Sequence, residues 1–170
     1  MERDRAVYPL LILGVLGIVI GFIPVYYANG CPVTFLDYCQ SGVPVYVDVF
    51  EKLRFYYLPM LMISITMVVV SIPTIIRPDK YKMPLDVKFM LALGYTIANL
   101  PLIINGLIEP GLLSYSMSSE SIVISASIKI EGTLLYKLLV GSGVYPLFNA
   151  SIATLGGYLA EIVFTIFHEA

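Results

Sequence analysis

The sequence predicts an all-α membrane protein with four transmembrane helices and a small extracellular β cap formed by two outer loops. Of its 170 residues, 58% are hydrophobic and 13% are charged, whereas soluble domains are about 25% charged. The mean hydropathy is +0.87. The apolar residues fall in four long runs, and two stretches between the runs alternate as strands do. Residues 1–170 are therefore expected to form a single integral membrane domain.

The charge of the chain argues against nucleic acid as a partner. The net charge is −2, and the longest basic run is the short RPDKYK segment, so no extended basic surface is available for phosphates. Trp is absent and Tyr occurs 13 times. Tyr is therefore expected to serve as the aromatic residue at the membrane interface.

The first span is predicted over about 7–27, directly after the charged start MERDR. This run is long enough to cross roughly 30 Å of hydrocarbon at about 1.5 Å per residue. Gly17 and Gly21 form a GxxxG pair, which allows another helix to approach closely.

The first outer loop, 29–54, is rich in turn-forming residues. Within it, valines alternate with other residues over 43–50, which predicts a short strand. Cys31 and Cys39 are the only cysteines and are close in sequence, so a structural disulfide is expected. A redox role would favour a CxxC motif or a second cysteine pair. A zinc site would need further ligands besides these two thiolates.

The second and third spans are predicted over about 55–76 and 89–108, joined by a short basic connection. Pro101 should kink the third span, because a proline cannot complete the helical hydrogen-bond pattern. Asn99 and Asn105 lie on either side of it. Their amides need partners in hydrocarbon, most simply from neighbouring helices.

The second outer loop, 109–143, predicts a β-hairpin. One arm covers 113–117 and the other 122–130, with the SSES segment as the turn. The apolar stretch 133–140 is too short to span a bilayer and is expected at the membrane interface.

The last span, about 145–167, differs from the others in its small and polar residues. Small residues approximately one turn apart permit close helix contact, and lipid cannot satisfy an amide or an acid. Glu161 is a proton-linked or quinone-linked carboxylate, the partner in an ion pair with another subunit, or an acid that reaches the headgroup zone. The residues expected to matter in this span are Asn149, Ala153, Gly156, Gly157, Ala160 and Glu161.

The charges favour cytoplasmic N- and C-termini in a plasma membrane, with loops 29–54 and 109–143 outside. Six basic residues then lie inside and four outside. The same orientation puts both cysteines on the oxidising side of the membrane. The inner basic residues are Arg3, Arg5, Arg77, Lys80, Lys82 and Lys88.

Catalytic motifs are not found in the sequence. No span contains a His, and neither a GxSxG motif nor a phosphate-binding loop occurs. We therefore expect no catalytic residue, no metal site and no cofactor bound by this chain alone. Haem, copper or quinone would be held by partner subunits.

The profile of several Ile-, Val- and Tyr-rich spans, short outer β segments and no His in the membrane resembles the small accessory subunits of crenarchaeal respiratory complexes. The resemblance is greatest to those of terminal quinol oxidases. It implies a non-catalytic subunit that contacts other membrane subunits, lipid and, at an interface, quinone. Two alternatives stay open: a four-helix quinone-linked thiol or thiosulfate oxidoreductase using Cys31 and Cys39, and a small transporter or channel with a polar path along Asn99, Asn105, Asn149 and Glu161.

Overall fold

A computed structural model describes residues 4–28, 31–37, 47–104, 121–123, 129–132 and 145–169. This part of the chain contains a 3₁₀ turn at Arg5–Val7, four helices and four short strands. The helices are α1 (Tyr8–Val19), α2 (Val47–Ile76), α3 (Leu85–Pro101) and α4 (Pro146–Glu169). The strands are β1 (Tyr26–Ala28), β2 (Cys31–Val33), β3 (Ser121–Val123) and β4 (Lys129–Gly132).

Three helical segments are long and apolar enough to cross a membrane: Arg54–Ile76, Leu85–Ile104 and Pro146–His168. They correspond to the second, third and last predicted spans. Each described end of these segments lies within a few residues of the predicted end. Residues 105–108 of the predicted third span lie outside the described residues. After Pro101, the helix continues as one π-helical turn through residue 104, at the point where the proline was expected to disturb it.

The predicted first span over 7–27 is wrong in its second half. The apolar helix covers Arg5–Val19, which amounts to about 22 Å at 1.5 Å per residue. The chain then turns through Gly21, and residues at the end of the predicted span form β1. Gly21 and Pro24 favour this turn. Pairing of β1 with two other strands supplies the backbone hydrogen bonds that a longer helix would have made.

The strand predicted over 43–50 is also wrong where it can be compared. Residues 47–50 form the first turn of α2, whereas 43–46 lie outside the described residues. The alternation of valines is compatible with a strand, but a period-two pattern over a few residues does not distinguish a strand from a helix. Continuity with the long apolar helix then decides the conformation.

The four strands form one antiparallel sheet with the order β2-β1-β4-β3. Strand β1 pairs with β4 so that Tyr27 lies opposite Glu131. Strands β3 and β4 pair with each other, with Ile122 opposite Ile130. Both strands of this hairpin thus fall on or directly beside 122–130, so the prediction of a single strand over 122–130 is wrong. Ser121, which was expected in the turn, belongs to β3, and the first arm, 113–117, lies outside the described residues.

The core lies between α1, α2 and α3, and α4 packs mainly against α3. Tyr57 and Tyr95 are fully buried in it. Phe35, which follows β2, stacks on the Tyr57 ring with centroids 4.9 Å apart. This contact joins the sheet region to the first half of α2.

Candidate functional site

The last helix has one face that packs against other described residues and one that is exposed among them. Ser151 and Tyr158 are buried, and residues close to them around the helix, such as Leu155, are half-buried. In the apolar window of α4, 11% of residues are buried, against 28% for α2 and 39% for α3. This helix therefore leaves far more of its surface uncovered by its own chain than the other two.

The exposed residues opposite Ser151 and Tyr158 recur at intervals of three and four, so they lie along one side of the helix. A methyl group placed on Gly156 or Gly157 would meet nothing within 4 Å in the described part of the chain. Small side chains here leave the α4 backbone open to close approach. We call this side the outer face of α4; its residues are Asn149, Ala153, Gly156, Gly157, Ala160, Phe164 and Phe167.

Tyr158 links α4 to the N-terminal end of α1. Its hydroxyl donates a hydrogen bond to the backbone carbonyl of Ala6, just before α1. Residues 159–169 continue for about 16 Å beyond this contact at 1.5 Å per residue. Their large apolar side chains are exposed except for the half-buried Ile162, with Phe164 62% and Phe167 76% accessible. The C-terminal half of α4 therefore presents a large apolar surface to its surroundings.

Glu161 is exposed on the flank of this projecting half. Its backbone carbonyl accepts a hydrogen bond from Thr165 Oγ1 at 2.9 Å. His168 stacks on Phe164 with ring centroids 4.0 Å apart. The described residues include no group of three or more His, Cys, Asp and Glu side chains that could hold a metal ion.

The glycines in α1 and in the turn that follows it lie at close contacts inside the bundle, unlike those of α4. A methyl group on Gly17 would lie 2.1 Å from Ser64 Oγ, and one on Gly21 would lie 2.2 Å from the Tyr57 hydroxyl oxygen. A Cβ atom has no room at either distance. The two glycines thus bring α1 directly against α2.

The predicted polar residues do not lie on one surface. Asn99 is 2% exposed inside the bundle, whereas Asn149 and Glu161 are exposed on α4. Asn105 and Cys39 lie outside the described residues, and Cys31 lies in β2 opposite Ala28. The disulfide therefore stays a prediction.

Two interactions inside the bundle were not predicted from the sequence. The Tyr57 hydroxyl donates to the Gly17 carbonyl at 2.6 Å, and Lys88 Nζ pairs with Asp4 Oδ2 at 2.5 Å. Lys88 is 6% exposed, and a charge this deeply buried requires a partner. Its position within an apolar run was the available signal that it pairs with an acid.

Three buried polar atoms have no hydrogen-bond partner within the described part of the chain: Ser71 Oγ, the Tyr95 hydroxyl and Asn99 Nδ2. The serine and threonine hydroxyls nearby bond to their own helix, as Ser64 Oγ does to the Met60 carbonyl at 2.7 Å. Such back-bonding satisfies a hydroxyl in an apolar environment. Two of these three groups, Tyr95 and Asn99, lie about one turn apart on α3.

No protein-family model, no curated protein and no solved structure matches this chain.

Proposed function

We propose that this chain is a non-catalytic accessory subunit of a larger membrane complex, and that it binds a helix of a partner subunit through the outer face of α4. The observation that carries the proposal is the combination of low burial in α4 with a row of small residues on its uncovered side. Lipid-facing helices gain nothing from such a row, because lipid tails fill gaps without needing close backbone approach.

The exposed polar groups of α4 favour a protein partner over lipid alone. Glu161 and His168 lie on the flank of the outer face, and both are exposed. An acid that faces hydrocarbon is costly, whereas a donor or cation on a partner helix would stabilise it. The large exposed aromatic rings Phe164 and Phe167 provide apolar area next to these polar groups, as is common in the buried centres of protein interfaces.

The complex that we propose is a respiratory terminal quinol oxidase of an archaeon, in which haem, copper and quinone are held by partner subunits. In the proposed orientation both termini are cytoplasmic, and loops 29–54 and 109–143 form the extracellular side of a plasma-membrane protein. The pairing of Asp4 with Lys88 supports the relative orientation, since it places the N-terminal segment and the α2–α3 connection at the same end of the bundle. The antiparallel sheet would then serve as the extracellular cap.

The test is purification of the tagged chain from its native membrane in mild detergent, followed by mass spectrometry and a visible absorption spectrum. The proposal expects stoichiometric membrane partners and, for the oxidase, haem absorption bands. Gly156→Leu and Ala160→Leu should abolish the co-purification, because their side chains would block close helix approach. Thr165→Leu, which is exposed on the same helix seven residues after Tyr158 and so lies away from the outer face, introduces the same apolar side chain and should leave it intact.

Recovery of this chain alone, stable and monodisperse, would overturn the proposed function. Partners without haem would retain the accessory role and exclude the oxidase. Equal loss of partners in all three leucine variants would show that α4 contacts them through more than the outer face.

A further inference from the structure

A groove lies at the end of the bundle where α2 leaves its apolar span and the chain turns into α3. Its volume is about 490 Å³, within the range of small-molecule sites. One wall is apolar, formed by Val70 and Pro73 of α2 and Val87 of α3, and the rim carries Lys80 and Lys82. The groove thus joins a hydrophobic surface to two cations.

The two lysines are available to a ligand. Both are exposed, and neither forms a salt bridge within the described residues, where the bridge found is that between Lys88 and Asp4. Lys80 Nζ lies 5.5 Å from the centre of the Tyr81 ring, which holds the ammonium near the groove. None of the residues that line the groove is acidic. The exposed Asp79 and Asp86 are neighbours of lining residues in sequence, and Arg77 adds a third cation to the two lysines, so positive charges outnumber the acids and favour an anion.

The connection that carries these lysines has a defined shape. The backbone N–H groups of Lys80 and Tyr81 both donate to the Arg77 carbonyl, at 3.1 and 3.0 Å. Met83 is 5% exposed and belongs to the core, which anchors the connection between the helices. The lysines are therefore displayed from a fixed turn at the end of the two spans.

The position of the groove relates it to the bilayer. Arg54–Ile76 is long and apolar enough to cross a membrane, and the exposed apolar side chains of α2 continue to Ile76, which is 69% accessible. Arg77 follows directly. The lysines thus lie at headgroup depth, and the apolar wall lies at the depth of the first acyl-chain carbons.

We propose that this groove is a binding site for an anionic phospholipid of the surrounding membrane. The lipid phosphate lies between Lys80 and Lys82, and one acyl chain lies along Val70, Pro73 and Val87. Charge complementarity selects an anionic headgroup, and the apolar wall selects a lipid over a free anion. Basic pockets between helices at the cytoplasmic side have the chemistry that such headgroups require. The site is separate from the outer face of α4 and does not depend on the partner proposed above.

The test is a titration of the purified full chain, in detergent, with phosphatidylglycerol or phosphatidylcholine, in which bound lipid is counted by native mass spectrometry. The wild-type chain should bind phosphatidylglycerol more tightly than phosphatidylcholine. Loss of each lysine is expected to weaken it about fivefold, so Lys80→Gln with Lys82→Gln should weaken it about 25-fold. Arg54→Gln, which removes a cation at the other end of α2, should leave the affinity unchanged.

A second variant tests the apolar wall with both charges intact. Val87→Trp should fill the groove and weaken phosphatidylglycerol binding by tenfold or more, while phosphatidylcholine binding elsewhere on the chain stays the same. Equal affinity for both lipids, an unchanged affinity in the lysine variant, or displacement of the lipid by millimolar inorganic phosphate would overturn the proposal. So would a dimer that these substitutions dissociate, because the groove would then bind a second copy of the chain.

Discussion

The hydroxyl of Tyr57 donates a hydrogen bond to the carbonyl of Gly17 across 40 residues of sequence, at 2.6 Å, and also lies 3.3 Å from the carbonyl of Ile18. Both carbonyls belong to the last turn of α1, where a helix has few backbone donors for its final C=O groups. The Ile18 carbonyl also accepts a hydrogen bond from the Gly21 N–H at 3.1 Å. A side chain of α2 thus caps the C-terminus of α1. This interaction stabilises both the C-terminal end of α1 at Val19 and the contact of α1 with α2.

Replacement of Tyr57 by Phe should lower the free energy of unfolding by about 1–3 kcal/mol, because a buried carbonyl loses its partner. Thermal unfolding in detergent, followed by circular dichroism, measures the change. Tyr56→Phe is the matched control, since the Tyr56 ring is half-buried and packs edge-on against Phe55. A melting temperature of Tyr57→Phe equal to that of the control would show that the cap contributes nothing.

The glycines of α1 and α4 should respond in opposite ways to alanine. Gly17→Ala places a methyl group 2.1 Å from Ser64 Oγ, so a loss of about 1–3 kcal/mol is expected from overpacking. Gly156→Ala meets no neighbour within 4 Å among the described residues and should stabilise the helix by up to about 1 kcal/mol.

A double variant checks the cause of the Gly17→Ala loss. Adding Ser64→Ala removes the hydroxyl and leaves Ser64 Cβ 3.0 Å from the new methyl group, so part of the stability should return. If Ser64→Ala adds its own loss with no recovery, the contact does not explain the effect of Gly17→Ala.

The ion pair between Asp4 and Lys88 should show unequal single-variant losses. The side chain of Lys88 is 7% exposed and that of Asp4 is 30% exposed, so Asp4→Asn leaves the more deeply buried charge without a partner. We expect Asp4→Asn to cost up to about 3 kcal/mol and Lys88→Met to cost less. The double variant should be more stable than Asp4→Asn alone. Chemical denaturation in mixed micelles provides the measurement, and a double variant with the summed losses of the two single variants would contradict the coupling.

The predicted disulfide can be tested by thiol labelling. If Cys31 and Cys39 are paired, an alkylating reagent should add to the denatured chain only after reduction, which intact-mass spectrometry detects. Cys39→Ser should then label at Cys31 without a reductant. Two labelled thiols in the denatured, unreduced chain would contradict the disulfide and remove its support for the outer location proposed for loop 29–54.

The last three helical segments could be predicted because hydropathy over some twenty residues is a local property. That α1 ends at Val19 and not near residue 27 could not be predicted, because this end depends on Tyr57 in another helix and on a strand partner near Gly132. The valine alternation before α2 was misleading at 47–50, since strand and helix patterns are ambiguous over a few residues. Lys88 was counted among the inner basic residues and not as a buried ion-pair partner, because Asp4 is 84 residues away in sequence.

The candidate site was predictable only in part, because some of its features are local in sequence and others depend on contacts between distant residues. The small residues of the last span were visible in the sequence, but which side of the helix packs against α3 was not. Ser151 and Tyr158 decide that side. The groove beside Lys80 and Lys82 depends on how the connection folds back between two helices, which no local pattern specifies.

The pairing of β1 with β4 also constrains how the protein is made. Tyr26 lies opposite Gly132, so more than a hundred residues of chain, among them α2 and α3, separate the two. At 5–20 residues per second, β1 leaves the ribosome about 5 to 20 s before its partner. Strand β2 follows within a few residues and can cover one edge of β1 at once. The other edge stays open until α2 and α3 are in place, which makes closure of the sheet a late step of biogenesis and a point at which a chaperone would act.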